Sequence, residues 1–290
     1  LPAEGWTEPY PGVHVWRKSG ASAGPDVLLT AGIHGDEYEG PAAILEVIAF
    51  LESTPLCGSC TAIPVAHPAA WRAASRLSPV DGLNLARTFP GDPAAAGTKH
   101  LAAFLFQLAS SASHLIDLHS GGSDYVFTPL AGFYDSPGRA AAAAFGLPAL
   151  WLLPPTAGVL SYEFAQRGGI AIGCEYLGGG QLAMEGVRAY AEGIRNCLAQ
   201  WGLTAEKRPP VPEAKAFSGD WTCATASGAF FSFVELNQTV GGGQPLAEIR
   251  DERGRVLETL VAASPGRVLA RRSKGYINQG DWGVLVGTKL

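Results

Sequence analysis

The chain has 290 residues but one methionine, five cysteines and six histidines, and only 16% of its residues are charged. Each scarcity excludes something. The thiols (Cys57, Cys60, Cys174, Cys197, Cys223) are odd in number and scattered. That argues against a disulfide framework and for reduced, mostly buried cysteines in a cytoplasmic protein. Cys57-Gly-Ser-Cys60 has redox or metal spacing, yet no second pair completes a four-thiolate site and no helix start follows it. The net charge is −5, which argues against nucleic acid or an anionic membrane as the main partner. Long apolar runs are missing too. The longest apolar helix candidate, near 41–51, is too short for a bilayer and carries Glu46. No signal-peptide pattern is visible at the start of the chain. Against these absences stands a hydrophobic content of 47%. It marks a globular chain, long enough for a large core and two domains.

What is present centres on Thr30-Ala31-Gly32-Ile33-His34-Gly35-Asp36-Glu37-Tyr38-Glu39-Gly40. The preceding Val27-Leu28-Leu29 reads as a buried strand. Residues 41–51 read as a helix, with Pro41 suited to its first turn. The join carries an imidazole and a carboxylate three residues apart, both ordinary zinc ligands. Glycines at 32, 35 and 40 permit the tight backbone that brings them to one point. With so many acidic residues such a pair also arises by chance, and Asp36 and Glu39 read as helix-start residues that cap or face solvent.

The rest of the chain supplies partners for that pair. Tyr10–Trp16 alternates like an edge strand, with His14 a polar strand residue, and residues 61–66 read as another strand, weakened or placed near an edge by Pro64. A long loop follows from His67-Pro68 through Arg76, Asp81, Asn84 and Arg87, of the length that is more often functional than filler. Helices are expected at 98–110, 138–146, 158–167 and 183–201. His114-Leu-Ile-Asp-Leu-His119 is a short strand ending in histidine before a glycine turn. Ile170–Glu175 is another, ending in a carboxylate before glycines. This alternation predicts an α/β domain over residues 1–202, with a mixed, mostly parallel sheet flanked by helices. In such sheets sites form at the carboxyl ends of strands, where His34, Glu37, His119 and Glu175 all fall. Residues 203–216 are charged and proline-rich and read as a linker. Short strands with glycine turns over 217–290 predict a small β domain, a sandwich or barrel.

Assembled, these segments resemble the succinylglutamate desuccinylase/aspartoacylase family of the zinc carboxypeptidase superfamily, over nearly the whole chain. Gly32-Ile-His34-Gly-Asp-Glu37-x-x-Gly40 looks like its first metal motif and Asp117-Leu-His119-Ser its second. Glu175-x-x-Gly-Gly-Gly looks like the segment with the catalytic glutamate, and Arg76 to Gly91 like the substrate loop. The resemblance implies a zinc carboxypeptidase-like domain plus a C-terminal barrel-sandwich. No lysine-bearing tip of the carrier type is present in the latter. It also implies one Zn2+ per chain on His34, Glu37 and His119, and hydrolysis of the amide bond of an N-acyl amino acid. Glu175 would be general base, with Arg76 stabilising the oxyanion or sharing the substrate clamp. Arg87 and Asn84 would bind substrate, the arginine as a bidentate clamp on a carboxylate. The same ligand set also takes manganese, cobalt or iron. Two positions depart from the family pattern: His67 stands where Asn usually precedes Pro, and Ala86 where Asn usually precedes the loop arginine. Competing expectations are a metallocarboxypeptidase acting on peptides and a silent binding module on the same fold. The expected partner is a small N-acyl amino acid, without nucleic acid or membrane, and with room for a homo-oligomer.

Overall fold

The computed structural model describes residues 3–290. A hairpin of β1 (Gly5–Tyr10) and β2 (Val13–Ser19) leads into β3 (Ser22–Ala31). Then follow α1 (Glu39–Glu52), β4 (Cys57–Ile63), α2 (Pro68–Arg72), α3 (Gly97–Ala109), β5 (His114–Leu118) and β6 (Tyr125–Phe133). The next elements are α4 (Ser136–Phe145), β7 (Ala149–Leu152), α5 (Leu160–Gln166), β8 (Ile170–Gly178) and α6 (Met184–Gln200). The C-terminal strands are β9 (Lys215–Cys223), β10 (Gly228–Ser232), β11 (Thr239–Val240), β12 (Pro245–Arg250), β13 (Val256–Val261), β14 (Gly266–Arg272), β15 (Tyr276–Ile277) and β16 (Trp282–Lys289).

Strand β3 shows why the apolar run is continuous. Val27, Leu29 and Ala31 face a core shared with α1, α4 and α6, while Leu28 faces one shared with α3 and α5. A strand covered by helices on both faces needs apolar residues at every position. β4, β3, β5 and β8 are neighbours in parallel register, so Ala31, Leu118 and Cys174 end level with one another. The loops after β3 and β5 therefore open on the same edge as Glu175, which lies one residue beyond that level.

The expectation of a mostly parallel sheet is corrected. The twelve-stranded sheet has the order β1-β2-β4-β3-β5-β8-β6-β7-β9-β16-β14-β11. Five of its pairings are parallel, against seven antiparallel ones. Hairpins at both ends of the chain add antiparallel neighbours, and β6 runs against β8. β6 is hard to see in sequence because Pro129 interrupts it. The register shift between Phe127 and Leu130 absorbs that residue, as bulges do. Pro64 likewise lies just past β4, an interior strand, where it removes no ladder hydrogen bond.

The C-terminal strands do not stand apart as one small β unit. β9, β16, β14 and β11 continue the main sheet, and β14 pairs back onto β6, closing a ring β6-β7-β9-β16-β14. β13, β12, β10 and β15 form a separate antiparallel sheet, and Phe230, Leu246, Ile249 and Leu260 pack with Val268 and Val284 of the main sheet. Between α6 and β9 the chain has no helix or strand, yet it is pinned to α6. Arg208 Nε donates to Asn196 Oδ1 at 2.8 Å, and Arg195 Nε donates to Glu206 Oε2 at 3.2 Å. All five cysteines are free, with Cys60, Cys174 and Cys197 buried. Cys57 and Cys60 lie three apart on one strand, which points them to opposite faces and removes any shared chemistry.

Candidate active site

The loop between β3 and α1 carries His34 and Glu37, each 2% exposed. Its path depends on glycine. A Cβ on Gly35 would lie 1.9 Å from the Ala70 carbonyl oxygen, and Gly32 adopts φ +63°. Asp36 and Glu39 neither face solvent nor cap the helix as expected; both are buried. Asp36 Oδ2 accepts from the Ser123 N–H at 2.7 Å and Glu39 Oε1 from the Ala183 N–H at 2.9 Å. These bonds tie the loop to the segments after β5 and before α6.

His119, just past β5, meets Glu37 from the other side. Its Nδ1 lies 2.9 Å from Glu37 Oε2, and His34 Nδ1 lies 2.7 Å from Glu37 Oε1. One potential ligand atom from each of the three residues falls within 4.8 Å of the others. The outer nitrogens decide the tautomers. Asn84 Oδ1 accepts the Ala86 N–H at 2.9 Å, which identifies it as the oxygen, so His34 Nε2 at 3.1 Å is a donor. His119 Nε2 donates to Asp117 Oδ2 at 3.1 Å, and Asp117 Oδ1 accepts the Thr30 hydroxyl at 2.7 Å. In the neutral imidazoles this leaves both Nδ1 lone pairs turned toward a carboxylate. Lone pairs converging in a buried place call for a cation or protons between them, so the residues present fit a metal ion.

The electrostatics follow from this crowding. Burial opposes ionisation of Glu37, but the two imidazoles hold its carboxyl well below the usual range. Burial also lowers His119, yet the carboxylates of Asp117 and Glu37 outweigh it and raise its pKa well above the ordinary histidine value. Burial and then Arg76 push His34 down. Glu175 is raised well above the carboxylate range by burial first and by Glu37 second. Its Oε2 is buried without a hydrogen-bond partner.

His34, His119, Arg76, Arg87 and Glu175 line one cavity of about 220 Å³. Arg76 Nη1 reaches both His34 Nδ1 and Glu37 Oε1 at 3.3 Å. Arg87 is held by its own turn, Nη1 donating to the Ala86 carbonyl at 2.7 Å, and among the described residues it has no carboxylate partner. Asn84, expected in the substrate site, sits behind His34 and caps the turn Leu85–Arg87. His67 caps α2, its Nδ1 accepting the Ala70 N–H at 3.4 Å. An asparagine oxygen caps a helix in the same way, so this departure from the family pattern keeps the loop's shape. Asp117, Tyr134 and Trp151, and Trp221 and Trp282 from the C-terminal strands, also surround the site. Asp117 was visible only as part of the Asp-Leu-His motif, and nothing in local sequence placed the tryptophans here.

Residues 23–201 match the family model for the succinylglutamate desuccinylase/aspartoacylase catalytic domain. The chain belongs to that family. It is 32% identical over 275 residues to N-alpha-acetyl-L-2,4-diaminobutyric acid deacetylase of Halomonas elongata, covering 89% of this chain and 80% of that one. Among solved structures, it superposes on the product-bound ectoine utilization protein EutE (DoeB) of Ruegeria pomeroyi with a TM-score of 0.84 and 29% identity, over 95% of this chain and 88% of that one. A succinylglutamate desuccinylase/aspartoacylase from Rhodobacter sphaeroides gives a TM-score of 0.86 at 28% identity, over 96% and 90%. The family's catalytic segment thus holds every reactive side chain described above, while the two tryptophans lie beyond it. No helix among the described residues is long and apolar enough to cross a membrane.

Proposed function

We propose that this family member is a zinc-dependent hydrolase that cleaves the amide bond of an N-acyl amino acid. His34, Glu37 and His119 would hold one zinc per chain. The observation that carries the reading is the pair of Nδ1 lone pairs turned onto Glu37 beside an unpartnered Glu175 carboxylate oxygen in the same cavity. The Halomonas relative, named as a deacetylase of an acetylated amino acid, supports the same class.

When bound, zinc supplies a Lewis acid for the amide carbonyl and shifts the pKa of water toward neutrality. Glu175 takes a proton from the attacking water and passes it to the departing nitrogen. The water oxygen joins the acyl carbon, the C–N bond breaks, and a carboxylate and a free amine leave. The raised proton affinity of Glu175 suits a group that must accept a proton and then give it up. Arg76, beside the cluster, is placed to stabilise charge developing on the carbonyl oxygen. Arg87, free of any carboxylate partner, clamps the substrate carboxylate. Asn84 acts through His34 by fixing its tautomer.

A cavity of about 220 Å³, below the roughly 300–1,000 Å³ of drug-sized sites, favours a small amide over a peptide chain. Residues 1–202 form the reactive unit in this proposal. Residues 217–290, joined through 203–216, complete its pocket, and the free thiols support a cytoplasmic location. The test is metal content by elemental analysis, then amine release from N-acetyl and N-succinyl amino acids. About one zinc per chain, with activity lost to a chelator and restored by zinc, is expected. A chain that takes up no metal when zinc is supplied would overturn the proposal.

A further inference from the structure

Away from its reactive groups the cavity wall is mostly carbon, with hydroxyls at Tyr134, Thr156 and Ser161. Phe127, Trp151, Leu153, Val159, Trp221 and Trp282 line it. Trp221 and Trp282 stack with centroids 5.1 Å and planes 10° apart, and Phe127 meets Trp221 edge-on at 5.6 Å. The Arg87 guanidinium carbon lies 5.6 Å from the Trp282 ring centroid, so the aromatic wall begins where the unpaired cation sits. The charges complete the picture. Among the described residues Glu175 is the only carboxylate lining the cavity. As the proton carrier, it leaves no other lining carboxylate to pair with a side-chain ammonium. Of the two lining arginines, Arg76 is already paired with Glu37, which leaves one free cation for one carboxylate.

We propose that the amino acid half of the substrate carries a large apolar side chain, aromatic for preference. It would pack on Trp221, Trp282 and Phe127 while Arg87 holds the α-carboxylate. This rests on the deacylase reading above and adds the substrate class to it. With the carboxylate at Arg87 and the carbonyl at the His34–Glu37–His119 cluster, the side chain is the third branch of the α-carbon, and the aromatic wall beside Arg87 is the apolar surface open to it. Strands β9 and β16 contribute the two tryptophans and are adjacent in the sheet, so the C-terminal strands would read the substrate while the loops of the parallel region cleave it.

The test compares kcat/KM of the zinc-loaded full chain on N-acetyl derivatives of phenylalanine, tryptophan, alanine, aspartate and 2,4-diaminobutyrate, and on alanine with longer acyl groups. Binding of N-acetylphenylalanine to Glu175→Gln protein is measured in parallel by calorimetry. A single methylene in an apolar pocket discriminates by about 10–200-fold. The aromatic substrates should therefore exceed the alanine one by at least about tenfold and the two charged ones by about 100-fold. Trp221→Ala should cost about 10–100-fold on the phenylalanine substrate, mainly through KM, and less on alanine. Trp221→Phe should recover most of that loss and guards against a misfolded alanine variant. Faster cleavage of the aspartate or diaminobutyrate derivative would overturn the inference and leave the deacylase reading standing. So would a preference that follows acyl length. Tight binding of N-acetylphenylalanine with no amine released from any substrate would remove the hydrolase reading and support the side-chain site. No binding and no turnover of the apolar derivatives would overturn the inference outright.

Discussion

Replacing Asp117 by asparagine separates the charge behind His119 from the shape of the site. Asp117 is 1% exposed, with Oδ2 on His119 Nε2 at 3.1 Å and Oδ1 on the Thr30 hydroxyl at 2.7 Å. An asparagine has the same outline. With its oxygen toward His119 and its amide toward Thr30, whose hydroxyl rotates to accept, both hydrogen bonds survive. What is lost is the negative charge that makes the imidazole a stronger donor through Nδ1. Changes to such partners typically weaken metal binding 10–100-fold, or about 1.4–2.7 kcal/mol. The assay is zinc competition against a chelator of known affinity, with thermal unfolding as the check on folding. Thr30→Val is the companion. It leaves Asp117 Oδ1 unpaired in the core and should cost about 1–3 kcal/mol of stability, with a smaller effect on zinc. Zinc affinity within about twofold of wild type in folded Asp117→Asn protein, well short of the tenfold that such partners command, would refute the reasoning.

Glu175→Gln should retain zinc and lose about 100-fold or more in turnover. Its Tm should not fall, because the substitution removes a carboxylate whose buried Oε2 lacks a partner; near-normal turnover would exclude Glu175 as the base. Gly35→Ala places a Cβ 1.9 Å from the Ala70 carbonyl oxygen, a backbone atom and not the end of a flexible side chain, so about 1–3 kcal/mol or more of stability should be lost. Thermal unfolding checks this, at roughly 2–4 °C per kcal/mol for a chain of this size. Asp81 anchors the loop of residues 76–91 to α3 through the N–H and hydroxyl of Thr98, at 2.8 and 2.7 Å. Burial opposes ionisation, but these bonds bring its pKa from 3.8 down to about 2. A carboxylate depressed in the folded state stabilises above its unfolded pKa and loses that contribution as pH falls through the folded one. Wild type should therefore unfold at higher temperature than Asp81→Asn above about pH 4, and the two Tm curves should converge as pH falls toward about 2. Parallel curves would contradict the anchor.

The local chemistry of the reactive cluster was legible in the residues themselves. A buried strand must be apolar, a helix start tolerates proline, and a tight join needs glycine, so His34 and Glu37 could be placed at a strand's end from their neighbours alone. The same reasoning put His119 at the end of its strand, and β5 closes one residue earlier, at Leu118. It placed Glu175 at the end of its strand, whereas β8 continues to Gly178 against β6, and the residue instead marks where β8 outruns its parallel partner. Strands built from irregular residues escaped it. Pro129 and Gly132 hide β6, and the four residues of β7 are too few to show a period. The largest gap concerned the C-terminal strands. Their alternation reveals strands but says nothing of which sheet edge they join, because main-chain hydrogen bonds are the same for every partner. Pairing of β9 with β7 and of β14 with β6 is settled by shape and burial over the whole chain. Only that pairing brings Trp221 and Trp282 to a pocket whose reactive groups lie far earlier in sequence. The sequence by itself determined which candidate ligand and acid–base side chains are present, because imidazole and carboxylate chemistry belong to residue types. The tertiary structure decided the walls around them, because a wall is made by whichever distant surfaces the fold packs together.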